Sequence, residues 1–400
     1  MTSTPGDSDG IRPFHLSVPQ SDLDDLHDRL DRTRWPAELP GAGWEYGVPA
    51  GYLRELVSYW RHEYDWRRAE ARLNAWPQFT TTIDGAHIHF AQLRSPEPDA
   101  TPLVLTHGWP GSLVEFWDVA EQLADPAAHG GDPADAFHVV VPTIPGFGLS
   151  GPTTEPGWEA GRVADAWAEL MRRLGYERFG AQGGDWGAAI SRELGRAHPD
   201  RVIGVHLNLL PGAQAATEPT AEELAALGPE ERERTLRSWR AWAEWSREGT
   251  GYAVLQSTRP HTLGYALTDS PVGQLAWIVE KFREWSDCGE LPEEAVDRDR
   301  LLTDVMLYWL TGTAASSARI YYERAHATGR GARPAEPSTT PTGLALFPAE
   351  PQIALRHKAE RTENLVRWTE FDRGGHFAAM EEPDLLVADV RAFFRQLREG

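Results

Sequence analysis

Phe179-Gly180-Ala181-Gln182-Gly183-Gly184-Asp185-Trp186-Gly187 reads as a short strand that doubles back into a helix at a carboxylate. Gly183 to Gly187 fits a G-x-nucleophile-x-G elbow, whose flanking positions must be small because a Cβ would clash where the backbone reverses. The pattern predicts a helix from Ala188 to His198, stopped by Pro199. Serine usually occupies the centre of such an elbow and attacks acyl carbon. A carboxylate attacking acyl carbon would give only a labile anhydride, whereas attack on saturated carbon gives an alkyl ester that activated water can cleave. The competing reading of Asp185 is a plain helix N-cap.

Outward from the elbow, strand signals fall at Phe79–Ile83, His87–Leu93, Pro102–Thr106, Phe137–Val141 and Val202–Leu209, and return at Thr342–Phe347 and Leu365–Phe371. Helical patterns at Leu113–Leu123 and Ala160–Leu174 alternate with them, predicting an α/β fold with a mostly parallel sheet covered by helices. From about Pro211 to Arg333 strand signals vanish and helices take over, including Ala221–Arg247 with Trp239, Trp242 and Trp245 as a packing stripe. Before the sheet, Ile11 to Trp76 shows broken helical periodicity with many aromatics, as an arm wrapped on a core would. The expected division is 1–90 as an N-terminal arm leading into the core, 91–212 as the first part of the core, 213–335 as an inserted helical cap, and 336–400 as the second part of the core, closed by a helix at Leu385–Leu397. The Gly/Pro/Ala-rich stretch Gly329–Pro341 reads as a linker.

Hydrophobic residues at 41% and charged residues at 25% over 400 residues are ordinary globular values. Lys plus Arg number 39 against 60 Asp plus Glu, and the net charge of -21 argues against an extended nucleic-acid surface. The lone Cys288 excludes an internal disulfide and any multi-cysteine metal site, and suits a reducing, cytoplasmic compartment. No secretory signal or membrane-length apolar run is present in the sequence. No cofactor or metal is expected.

His107-Gly108-Trp109-Pro110-Gly111-Ser112 follows the apolar strand Leu103-Val104-Leu105, so its amides emerge at the same sheet edge as the elbow. The backbone amides of Trp109 and Trp186 are the expected oxyanion-hole donors for an ester carbonyl under attack. His376, in Gly374-Gly375-His376-Phe377 after the last strand, is the expected general base. Glu350, just past the preceding strand, is the expected carboxylate orienting it, with Glu363 and Asp372 as competitors. A carboxylate that opens an epoxide also needs an acid for the developing alkoxide, which a cap tyrosine can supply. Tyr252 and Tyr321 are the candidates, while Tyr308 and Tyr322 remain open as substitutes for Tyr321.

GGDWG, HGWPGS, FPAE and RGGHFAAMEEPDLL, together with the N-terminal arm, resemble the microsomal-type branch of the α/β-hydrolase epoxide hydrolases over nearly the whole chain. The resemblance implies an α/β-hydrolase fold, with Asp185 as nucleophile, His376 as base, Glu350 as charge-relay acid and Tyr252 and Tyr321 as epoxide-activating acids. It implies an epoxide substrate and water as the partners, with no nucleic acid, and a homodimer as the candidate assembly. The membrane anchor of the vertebrate members has no counterpart, so none is expected. The aromatic richness, 17 tryptophans among it, suits a bulky apolar or natural-product epoxide, in detoxification or in secondary metabolism. Two rivals stand beside this reading: a haloalkane dehalogenase, which shares the aspartate and histidine, and a noncatalytic binding protein on the same fold.

Overall fold

Nine strands form one sheet in the order β1-β2-β3-β5-β4-β6-β7-β8-β9. They are β1 (Arg12–Phe14), β2 (Gln78–Ile83), β3 (Ala86–Leu93), β4 (Thr101–Thr106), β5 (Phe137–Pro142), β6 (Phe179–Gly183), β7 (Val202–Leu207), β8 (Pro341–Leu346) and β9 (Asn364–Glu370). The structure, a computed structural model, describes residues 10–328 and 337–399. From β5 across to β9 the strands are parallel, and β1, β2 and β3 join antiparallel at one edge. The central strands are apolar on both faces: Leu103, Val104 and Leu105 of β4 and Val139, Val140 and Val141 of β5 are fully buried. Strands buried on both sides are what helix-covered parallel sheets require.

One covering helix, Ala160–Arg173, buries Val163, Trp167 and Leu170. Its Trp167 Nε1 donates to Thr106 Oγ1 at 3.1 Å, satisfying the indole where no water reaches. The closing helix, Pro383–Glu399, lays Phe393 and Phe394 on the sheet. A Cβ on Gly180 would lie 2.3 Å from the Phe394 ring, so the helix can approach only because that strand position is bare. Each buried ring is worth roughly 2–3 kcal/mol.

Between β7 and β8 the described residues contain helices and no strand. The expected helix over 221–247 is two helices, Ala221–Ala225 and Pro229–Glu248. The first opens on a capping box between Thr220 and Glu223, and the second starts where Gly228 precedes Pro229, a residue tolerated in a first turn but not inside a helix. Most of the expected linker, 329–336, lies outside the described residues.

The arm supplies β1, which sequence periodicity missed, and the helices Gln20–Asp31, Ala50–His62 and Trp66–Asn74. Three residues are too few to show a period of two, and Pro13 is acceptable only because β1 is an edge strand. Arm tyrosines grip the helix Arg298–Thr311 between β7 and β8: Tyr59 donates to Asp299 at 2.7 Å, and Tyr64 Oη lies 2.9 Å from Thr303 Oγ1. Among the described residues no helix is long and apolar enough to cross a membrane.

Candidate active site

β5 and β6 flank β4 on opposite sides, so the chain changes winding direction there and the loops leaving β4 and β6 open a crevice at the carboxyl ends of the strands. The elbow leaves β6 into the helix Asp185–Ala197. Asp185 has a φ of 47°, in the left-handed region that costs a side-chain-bearing residue on the order of 1–3 kcal/mol. The turn is held by close backbone approach. A Cβ on Gly187 would lie 1.8 Å from the Thr106 carbonyl oxygen, and one on Gly183 would lie 2.4 Å from the Gly187 carbonyl carbon.

Both carboxylate oxygens of Asp185 are engaged. Oδ1 accepts the Trp109 amide at 2.8 Å, and Oδ2 lies 3.5 Å from His376 Nε2. The Trp186 amide belongs to the first turn of the helix, where N–H groups lack intrahelical acceptors. On the other side of the imidazole, His376 Nδ1 lies 2.7 Å from Glu350 Oε2, and all three side chains are largely buried. The loops after β8 and β9 are tied by the Ala349 amide on the Gly374 carbonyl at 3.1 Å, which brings Glu350 to face His376. Burial alone disfavours the imidazolium, but Glu350 and Asp185 outweigh it and raise His376 well above the ordinary histidine value.

Tyr252, on the helix Gly251–Thr258, and Tyr321, on the helix Arg319–Ala325, come together over the elbow, their rings edge-to-face with centroids 5.8 Å apart. The Trp109 indole stacks on Tyr252 with centroids 5.2 Å apart, and Trp186 meets Tyr321 edge-on at 4.8 Å. Burial, then the Asp185 carboxylate, pushes the Tyr252 phenol up; burial, then Tyr252 and Asp185, does the same for Tyr321. Both therefore keep their protons at neutral pH. The other tyrosines are elsewhere: Tyr308 donates to the Gly111 carbonyl at 2.6 Å, and the half-exposed Tyr322 stacks on His326. Of the competing acids, Glu363 binds Arg192 and Arg196 at 2.6 Å, and Asp372 is at the surface.

Sequence reading missed two acids that shape the site. Glu115 Oε1 would be 1.6 Å from a Cβ on Gly111, so the carboxylate lies directly against the Trp109 loop. Burial pushes its pKa up to about 7. Its only sequence signal is an acid inside the apolar run Leu113-Val114-Glu115-Phe116. Glu381 accepts the Phe377 amide at 2.9 Å and the Asp287 amide at 2.7 Å, stapling the histidine loop to the inserted helices.

An aspartate elbow on a mostly parallel sheet, roofed by helices inserted between its seventh and eighth strands, defines an α/β hydrolase; the family described as alpha/beta hydrolase fold matches residues 101–243. Residues 11–116 match the family described as epoxide hydrolase N terminus. The chain belongs to the epoxide hydrolases. It is 49% identical over 390 residues to a Stigmatella aurantiaca (strain DW4/3-1) protein provisionally named an epoxide hydrolase, covering 97% of this chain and 86% of that protein. It is 36% identical to epoxide hydrolase 1 of Sus scrofa, over 98% of this chain and 90% of the relative. The solved Aspergillus niger epoxide hydrolase superposes with a TM-score of 0.83 at 34% identity, covering 98% of this chain and 97% of that one.

Proposed function

We propose that this epoxide hydrolase works through a covalent alkyl ester on Asp185. Asp185 attacks an epoxide carbon, the ring C–O bond breaks, and the departing oxygen takes a proton from the Tyr252–Tyr321 pair. His376 then takes a proton from water, which adds to the ester carbonyl, with Glu350 stabilising the imidazolium. The Trp109 and Trp186 amides hold the charge that forms on the carbonyl oxygen; on collapse the departing alkoxide takes the proton from His376, releasing the vicinal diol, and the proton left on the Asp185 carboxyl returns to the tyrosine pair, restoring the carboxylate. The observation carrying this reading is the division of Asp185 itself: one oxygen rests on the Trp109 amide and the other faces the His376–Glu350 pair.

Trp109, Trp186, Trp285 and the two tyrosines form an aromatic enclosure around the elbow. It supports a bulky apolar epoxide as substrate, which a panel of styrene-like, terpene and aliphatic epoxides assayed for diol would identify. The mechanism is tested by one turnover of excess unlabelled enzyme in ¹⁸O-water. The first diol should contain no solvent oxygen, because its new oxygen comes from Asp185. Labelled diol in that turnover means direct attack by water and removes Asp185 as nucleophile.

A further inference from the structure

Lys281 lies on the helix Pro271–Trp285 and is only 2% exposed. Lysine is almost never this buried without partners. Its ammonium is held by Glu280 at 2.7 Å and Glu284 at 2.8 Å, and its Nζ stands 4.7 Å from the centre of the Tyr252 ring. The Trp285 ring is 5.7 Å away, and Trp285 in turn touches both Tyr252 and His376. Nothing in the mechanism above uses this cation, although it stands over the ring face of one of the two tyrosines.

We propose that Lys281 strengthens Tyr252 as a hydrogen-bond donor to the opening epoxide, an inference that rests on reading Tyr252 as one of the two epoxide acids. As the C–O bond breaks, the Tyr252 O–H polarises toward phenolate and electron density in its ring rises. A cation over the ring is attracted more strongly at that moment than in the resting state, so its effect falls on the transition state. The Asp185, Glu284 and Glu350 carboxylates work in the opposite direction, raising the phenol, and of these Asp185 loses its charge as the ester forms. Glu280 and Glu284 are 39% and 31% exposed, so water screens them, whereas Lys281 at 3% side-chain exposure is shielded from water and sits over the ring. Lys281 is thus a positioning residue that acts through Tyr252 and touches no substrate.

The test separates alkylation from ester hydrolysis by stopped-flow in Lys281→Met, Lys281→Gln and Lys281→Arg, each also placed in a Tyr252→Phe background. Loss of the cation should slow alkylation roughly three- to tenfold, leave hydrolysis of the ester unchanged, and be rescued by arginine. In the Tyr252→Phe background the same substitutions should have no further effect on alkylation. Equal slowing in both backgrounds, or slowing of both chemical steps together, overturns the inference, since a packing role would do either. Wild-type alkylation in the folded Lys281→Met or Lys281→Gln enzyme overturns it while leaving Tyr252 in place. Wild-type alkylation in Tyr252→Phe alone removes the tyrosine reading, and the lysine inference with it. Circular dichroism selects the folded neutral variant, and if neither folds, faster alkylation by Lys281→Arg than by a double Lys281→Arg, Glu284→Lys variant overturns the sign argued here.

Discussion

Replacing Glu350 with glutamine should separate the two halves of the reaction. The Glu350 carboxylate lies 2.7 Å from His376 Nδ1 in a buried setting, and its charge matters most when the imidazole takes the water proton. With charge centres about 4 Å apart and an effective dielectric of about 20, that attraction is about 4 kcal/mol. Glutamine keeps an oxygen able to accept the Nδ1 proton, retaining about 1 kcal/mol as an ordinary hydrogen bond. The remaining ~3 kcal/mol corresponds to roughly a hundredfold slower ester hydrolysis. Alkylation by Asp185 should change far less, because no imidazolium forms in that step. Trp109, Trp186 and Trp285 surround the site, so a stopped-flow tryptophan signal should show a fast phase of normal rate followed by a greatly slowed recovery. Intact-protein mass spectrometry of the quenched enzyme should show enzyme plus substrate, as it should for His376→Gln, where the base is absent. A Glu350→Gln enzyme that alkylates slowly but hydrolyses the ester at the wild-type rate would refute the reasoning.

Tyr252→Phe and Tyr321→Phe should each slow alkylation on the order of 10²-fold, the cost of losing one donor to a developing oxyanion, with little change in ester hydrolysis; Tyr322→Phe should alkylate normally, and the reverse pattern in rapid-quench experiments would reassign the second acid. Glu115 is pushed up to about 7 by burial from an ordinary 4.5, so the folded state binds the extra proton: its favourable contribution is full below about pH 4.5 and is lost as pH rises through about 7. Glu115→Gln should therefore gain on wild type, on the order of 3 kcal/mol, between pH 4.5 and 8 in urea melts, and parallel pH profiles of the two proteins would contradict the shift.

The elements that could be read from the sequence are those whose signal is local. The elbow announces itself because the steric demand at Gly183 and Gly187 lies within five residues of Asp185, and the His107–Ser112 loop because it follows an apolar strand. The order of Asp185, Glu350 and His376 along the chain placed three groups that the fold brings within hydrogen-bonding reach. Choosing Tyr321 over Tyr322 was another matter. Successive helical residues point about 100° apart, so which one faces inward depends on how the helix Arg319–Ala325 is seated, and family likeness supplied what periodicity could not. Lys281 leaves no readable trace, and Glu115 only an acid inside a short apolar run. Their neighbours, Tyr252 for one and the Gly111 backbone for the other, are meaningful only once the chain is folded.

The position of His376 between two carboxylates explains when in the proposed cycle the base becomes available. In the resting enzyme Glu350 and Asp185 together raise the imidazole well above its ordinary value, which favours holding a proton and is the wrong state for a base. Alkylation turns Asp185 into a neutral ester and removes one of the two charges. The same imidazole, still buried and still fixed through Nδ1 by Glu350, then loses much of what kept it protonated, and burial pulls it back down. Its Nε2, which faced an Asp185 oxygen at 3.5 Å, is left facing the ester that water must attack. The base is thus released by the step that creates its substrate. Water activation follows ring opening, and the epoxide meets a carboxylate rather than a hydroxide.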